Sequence, residues 1–392
     1  MIIDIHLLAI AIFWFSAVFW VIPGKYAQQR QYFVTLFSAF IIYSYSPLVL
    51  AVVLLVTLWG VAVFYAARRW PRYGFMIWSI FLPMALLNLE GWGQAPLWLV
   101  GSPRSPVARH LVTLGLSFYS VKIFGSVHMA LRSGQLRTSD LFATTLFFPA
   151  FASGPIDFAD KFRGLITHNN FSAPQYLMGI MRVGVGLFKV SFVSAWLIVD
   201  ASTYLGGGTL NEIKSASWSS HTLDIVLVYQ ILSFVNLYIN FSGFTDIAIG
   251  AGKMIGINLT ENFRFPLLAH SIQNFWQRWH LSLAGFITKY MFKPMVRRTG
   301  RPKIAIFVVF GVIGLWHSYS VGYLLWGFGH GFLLSMHMVF SKKIKPRTKV
   351  GRIAWRVTST TLTLWAVSFL SAIANLNDSE DIYPYVLSYL QL

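Results

Sequence analysis

The chain has 392 residues, of which 56% are apolar and only 11% carry a charge, against roughly 25% charged residues in ordinary soluble domains. So few charges cannot cover a water-facing surface, which excludes a soluble enzyme, a disordered chain and a coiled coil. The net charge of +18 is spread in clusters between apolar runs and reads as membrane orientation, not nucleic-acid binding. With no cysteine, disulfides, thiolate nucleophiles and cysteine-held metals are excluded.

A bilayer crossing needs about 20 apolar residues. The expected spans lie near 5–23, 33–46, 48–67, 75–89, 110–130, 140–153, 175–199, 222–240, 304–317, 320–340 and 353–375. Together they predict an all-α polytopic membrane protein with roughly ten crossings in a single domain, 1–392. The opening run MIIDIHLLAIAIFWF lacks a basic leader and is read as a retained helix. The cytoplasmic side is set by Lys25 and Arg30, by Arg68, Arg69 and Arg72, by the basic residues of 289–303, and by those of 342–356. That assignment puts the N-terminus outside.

Two stretches depart from simple spans. In 149–164, Pro149, Gly154 and Pro155 break the helix and place Asp157 near a membrane edge. In 241–295, Asp246, Lys253, Glu261, Arg264, His270, Arg278, His280 and Lys289 interrupt an apolar background. Lipid-exposed backbone does not tolerate this density, so short or re-entrant helices lining a cavity are expected. Asp246 needs a partner such as Arg264 or Arg278.

Polar groups at membrane depth are functional candidates because their burial is costly. His317 ends an apolar run in GLWHSYS, with Trp316 before it and Ser318 after it. It is expected at or inside the membrane, as a neutral ring able to act as a general base. His280 stands 37 residues earlier in NFWQRWHLSL, crowded by Asn274, Trp276, Arg278 and Trp279. If that segment is one helix, Phe275, Trp279 and Leu283 share a face, and Trp276 and His280 share another. Arg278 can stack on a tryptophan or hold an anion, or simply snorkel in an aromatic belt. His330 and His337 are seven residues apart, too wide for adjacent metal ligands, and read as structural. No metal site is expected.

The runs YINFSGFTDIAIG, ENFRFPLLAHSIQNFWQRWHLSL, GLWH and WGFGHG together resemble the membrane-bound O-acyltransferase (MBOAT) family, over about residues 110–340. Within it, SGFTDIAIGAGKMIGINLTENF is similar to alginate-type polysaccharide O-acetyltransferases. FFPAFASGPIDFADKF is similar to the D-alanyl transferase of teichoic acid synthesis. Ser318 stands where a glycine is usual, and KPMVRRTGRPK replaces a glycine-rich stretch of the acetyl branch.

The resemblance implies a helical bundle around a central funnel, with His317 as the central catalytic residue and His280 on the same path. It implies transfer of an acetyl or D-alanyl group to a hydroxyl of an extracytoplasmic polysaccharide or teichoic-acid-like polymer. The donor is a cytoplasmic thioester, either acyl-CoA or an acyl-phosphopantetheinyl carrier protein, with no tightly bound cofactor. Asn274, Trp316 and His280 are candidate oxyanion donors, and Asp157 and Asp246 candidate channel residues. A serine acyl-enzyme at Ser318 or Ser320 stays open. An SGNH-hydrolase-like partner outside and residence in the bacterial cytoplasmic membrane follow from the same resemblance. The alternative is a membrane transporter or flippase, although most of the 13 acidic residues fall in loops or near span ends rather than in a mid-membrane relay.

Overall fold

The computed structural model describes residues 5–82, 106–151, 153–167, 171–198, 223–318, 320–340, 348–376, 379–387 and 389. Every regular element among them is helical: α1 (Ile5–Val21), α2 (Ala27–Tyr45), α3 (Pro47–Arg69), α4 (Pro106–Ser133), α5 (Thr138–Leu146), α6 (Ala159–Thr167), α7 (Ala173–Phe188), α8 (Leu223–Met254), α9 (Ile272–Trp276), α10 (Leu281–Ile287), α11 (Lys293–Thr299), α12 (Pro302–His317), α13 (Val321–Phe340), α14 (Lys349–Asn375) and α15 (Ser379–Leu387). Wider π-helical turns follow α7 at Lys189–Ile198 and follow α10 at Thr288–Phe292. Such turns are uncommon and often mark functional regions.

Four helices are long and apolar enough to cross a bilayer among the described residues: α3, α7 with its continuation to Ser194, α8 and α14. The expected spans at 5–23 and 33–46 appear as a pair bent by 110°. The expected span at 140–153 is not a continuous helix. Only Thr138–Leu146 is α-helical there, and a single 3-10 turn, Phe148–Ala150, follows. Pro149 has no N–H to continue the ladder. The described start of the span expected at 75–89 is a 3-10 helix, Pro71–Phe81; the rest of that span lies outside the described residues, as do the basic residues at 342–347. The re-entrant reading of 241–295 holds only in part. Its first residues, through Met254, complete the 32-residue α8, and short helices occupy the remainder.

α3 shows why these helices are membrane elements. One face, including Val53, Val56, Gly60, Val63 and Phe64, is buried, while Leu55 and Leu58 on the other are 67% and 54% exposed. A helix apolar on both its packed and open faces has lipid as its natural solvent.

The chain forms two compact units. The first comprises residues 1–188 and 243–261, and the second residues 189–242 and 262–392. In the first, Phe15, Phe19, Phe147, Phe162, Ile247 and Met254 build a continuous core. The C-terminal part of α8 lies backbone-close to α7. A Cβ on Gly179 would stand 2.8 Å from the Gly250 carbonyl oxygen, and one on Gly186 2.5 Å from that of Gly243. Small residues at these crossings permit a contact that any side chain would prevent. In the second unit, α8 packs with α14 and α15 through Val226, Tyr229, Ile373 and Tyr385. The buried Gln230 amide there donates to Ser368 at 2.8 Å, as a buried polar side chain must.

Candidate functional site

The second unit gathers three histidines. Helix α9 starts on Ser271, whose hydroxyl accepts from the Asn274 N–H at 3.1 Å, and it ends after Trp276. Residues 272–283 do not form one helix. His280 adopts the left-handed region, φ 44° and ψ 55°, and starts α10 from there. The chain direction therefore changes between Trp276 and His280, and the two do not share a helical face. Phe275 and Trp279 do meet, stacked at 5.4 Å. A left-handed backbone is strained for a non-glycine residue and persists only where the surroundings hold it.

Those surroundings are aromatic. Trp279 stacks on Phe234 at 5.7 Å and meets Phe263 edge-on at 5.1 Å. Phe241 presents its ring edge-on to His280 at 4.9 Å. His280 is 3% exposed. Among the described residues Arg278 neither stacks on a ring nor pairs with an acid. It donates to the Asn274 side-chain oxygen at 3.0 Å and to the Arg264 carbonyl at 3.0 Å.

His317 is the last residue of α12. Helix α13 returns against it closely, because a Cβ on Gly314 would fall 2.3 Å from the Tyr323 carbonyl oxygen, and one on Gly327 2.3 Å from that of Phe310. This crossing lays Tyr323 over the His317 ring at 5.5 Å, nearly parallel, with Trp326 edge-on at 5.3 Å and Trp316 at 4.6 Å. The surface of His317 is exposed within this aromatic frame, because α12 stops there and Ser318 continues extended, its N–H closing on the Gly314 carbonyl at 3.2 Å. His280 and His317 lie within electrostatic reach of each other.

His330, read from the sequence as structural, is drawn into the same group. It is 1% exposed and lies 4.8 Å from Trp326. The Trp276 indole N–H donates to its Nδ1 at 3.3 Å, which leaves the ring proton of the neutral form on Nε2. Tyr323, Trp326 and His330 are spaced by three and four residues on α13 and so share a face, of which the WGFGHG run carries Trp326 and His330.

Beside this group lies a cavity of about 710 Å³, lined among others by His270, Asn274, Gln277, Leu333, His337 and Trp355. Its lining combines amides, hydroxyls and the imidazoles of His270 and His337 with apolar side chains. Asn274 and Gln277 flank Trp276 in the chain, and Leu333 follows His330 by three residues, so the cavity adjoins the histidine cluster.

Asp157 and Asp246 belong to the first unit, in a separate polar network. Asp246 does not pair with Arg264 or Arg278. Its partner is Arg182 of α7, at 3.0 Å, and the same guanidinium forks onto Glu261. The glycine crossing explains this, because it brings α7 and α8 together at that level. Asp157 accepts from the Thr260 N–H at 2.8 Å and from its hydroxyl at 2.6 Å. The buried Lys122 ammonium, close enough to Asp157 to feel its charge, donates to the Ala150 carbonyl at 2.7 Å. Among the described residues no three histidine or acidic side chains group as metal ligands.

The model of the membrane-bound O-acyltransferase family matches residues 80–358. The chain is 29% identical over 290 residues to a probable alginate O-acetylase, AlgI, of Pseudomonas syringae, covering 71% of this chain and 52% of that protein. It is 29% identical to a peptidoglycan O-acetyltransferase of Helicobacter pylori, covering 57% of this chain and 42% of that one. To a teichoic acid D-alanyltransferase of Bacillus subtilis it is 25% identical, covering 81% of this chain and 83% of that one. The chain thus spans about half the length of the acetyl-transferring relatives.

Proposed function

The chain belongs to the membrane-bound O-acyltransferase family, and from that premise we propose that it moves an acyl group, acetyl or D-alanyl, from a cytoplasmic thioester to a hydroxyl of a cell-envelope polymer outside. The observation that carries this reading is His317: an open imidazole at a helix end, framed by Tyr323 and Trp326, with His280 within electrostatic reach.

Neutral His317 takes the proton of the acceptor hydroxyl as its oxygen attacks the thioester carbonyl. The new C–O bond forms, the carbonyl becomes an oxyanion, and the C–S bond breaks. The departing thiolate takes the proton back from the imidazolium, so the cycle closes with an ester and a free thiol. General-base assistance of this kind supplies roughly 10²–10⁴ in rate. Without cysteine no thiol acyl-enzyme forms. Tyr323 and Trp326 fix the ring's plane, which matters because transfer requires the reacting atoms in near-attack geometry. The cavity beside the cluster, with its neutral amides, suits the pantetheine arm of acyl-CoA or of a carrier protein, whose own amides need partners but whose stem carries no charge. Arg352 and Arg356, exposed on α14 beside Trp355, offer cations to the phosphate end of that arm. The protein resides in the cytoplasmic membrane with its N-terminus outside, and the acceptor polymer is handled there with an SGNH-hydrolase-like partner.

The test is transfer of labelled acyl groups in membranes containing the protein, with mass spectrometry of the envelope polymer. An ester gain of acetyl or alanyl mass that disappears in His317→Ala supports the reading. Movement of label across the membrane without ester formation indicates a transporter instead.

A further inference from the structure

The strained backbone of His280 raises the question of what holds it. The answer lies in the short segment Asn262–Arg264, which lies alongside residues 278–282. The Leu281 N–H donates to the Asn262 carbonyl at 3.0 Å. The Asn262 side-chain oxygen accepts both from the Ser282 N–H at 3.2 Å and from the Ser282 hydroxyl at 2.6 Å. A backbone N–H only donates, so the oxygen of the amide, not its nitrogen, must face Ser282. On the other side of His280, the Arg264 N–H donates to the Arg278 carbonyl at 2.9 Å. His280 is therefore bracketed: residues 281 and 282 are tied to Asn262, and residue 278 to Arg264. The ring of Phe263, between the two ties, packs edge-on against Phe241 at 5.0 Å and Trp279 at 5.1 Å, and Phe241 is the ring that abuts His280. Asn262 is fully buried.

We propose that Asn262 is a positioning residue for His280: its side-chain oxygen holds the first turn of α10 and so fixes the left-handed backbone that aims the imidazole. This rests on the acyl-transfer reading for its effect on rate, but its structural content is independent of that reading. A polar side chain buried here has no role in apolar packing, and an apolar residue of equal size would fill the space without tying Ser282. Its function is to replace the hydrogen bonds that the opening turn of α10 lacks while leaving His280 outside the helical geometry. Sub-ångström placement of a catalytic ring matters, because misplacement by about 1 Å costs on the order of 10²-fold in rate.

Three variants of the full-length protein in detergent or membranes test this. Asn262→Leu conserves volume and removes the acceptor. It is expected to lower kcat by about 10- to 100-fold with little change in the donor KM, and to raise amide hydrogen exchange in the peptide spanning 278–286. Asn262→Asp keeps the acceptor oxygen and is expected to restore most of kcat and the exchange protection. Wild-type kcat in Asn262→Leu, or unchanged exchange at 278–286, overturns the proposal. Equal losses in the Leu and Asp variants that follow the unfolding temperature also overturn it, since they mark a merely structural role. If Asn262→Leu does not assemble, Ser282→Ala decides, by a fall in kcat at constant KM or by none. Should the wild-type protein transfer no acyl group while exchange in Asn262→Leu rises as expected, the acyl-transfer reading fails and the bracketing of His280 stands.

Discussion

The two units solve the problem of polar groups in an apolar protein in opposite ways. The first pairs charges with each other or with hydrogen-bond donors: Arg182 with Asp246 and Glu261, and Asp157 with Thr260 beside Lys122. Every group in that network has a partner that offsets its desolvation, and the result is a rigid joint between α7 and the end of α8. The second unit surrounds imidazoles with aromatic rings, tying His330 with one indole N–H and leaving His317 open. A carboxylate facing His317 would hold the imidazolium and oppose the return of its proton. Rings orient it without that bias. The difference separates a network suited to stability from one suited to proton transfer.

The comparison breaks first at His317. His317→Ala is expected to reduce acyl transfer by about 10²–10⁴-fold while the purified protein keeps its unfolding temperature; a folded variant with full activity removes the catalytic assignment. Arg182→Leu has the opposite signature. It strands Asp246 and Glu261, and a loss of roughly 1.5–3 kcal/mol in stability is expected, the range for hydrogen bonds to charged groups. Thermal unfolding in detergent reads this directly, and the wild-type melting curve in Arg182→Leu would show the network to be dispensable.

Gly327→Ala sits between these two. The new Cβ meets the Phe310 carbonyl oxygen, so α12 and α13 must part. Overpacking costs of about 1–3 kcal/mol are expected, together with a fall in kcat, because Trp326 and Tyr323 move with α13. Stability and kcat measured on the same preparation check whether the two losses occur together. The smallest effect is expected from Trp276→Phe. It removes the donor to His330 but keeps an aromatic ring, at about 0.5–1.5 kcal/mol for one hydrogen bond. The checks are unfolding temperature and kcat; a larger loss of kcat than of stability would place His330 on the proton path rather than behind it.

Much of the site was legible in the sequence because its signals are local. Trp316 with His317, and Trp279 with His280, are adjacent in the chain, and the rarity of histidine in apolar runs marks them. His330 reads as structural from its spacing, and its hydrogen bond to Trp276, 54 residues away, is visible only in the fold. The cation that faces Asp246 is likewise not legible from the chain. Arg264 and Arg278 are closer in sequence, but the crossing of α7 with α8 at Gly179, Gly186, Gly243 and Gly250 decides that Arg182 reaches it.

Composition and hydropathy by themselves determined that the chain is helical and membrane-embedded, since a bilayer admits helices whose backbone bonds close within each segment. The paired histidine motifs determined the family. The bend after Trp276, the left-handed turn at His280, the open ring of His317 and the pairing of Asp246 with Arg182 came only with tertiary structure. Each depends on which backbones can approach closely and which distant donor meets which acceptor, and neither is encoded in the spacing of residues along one helix.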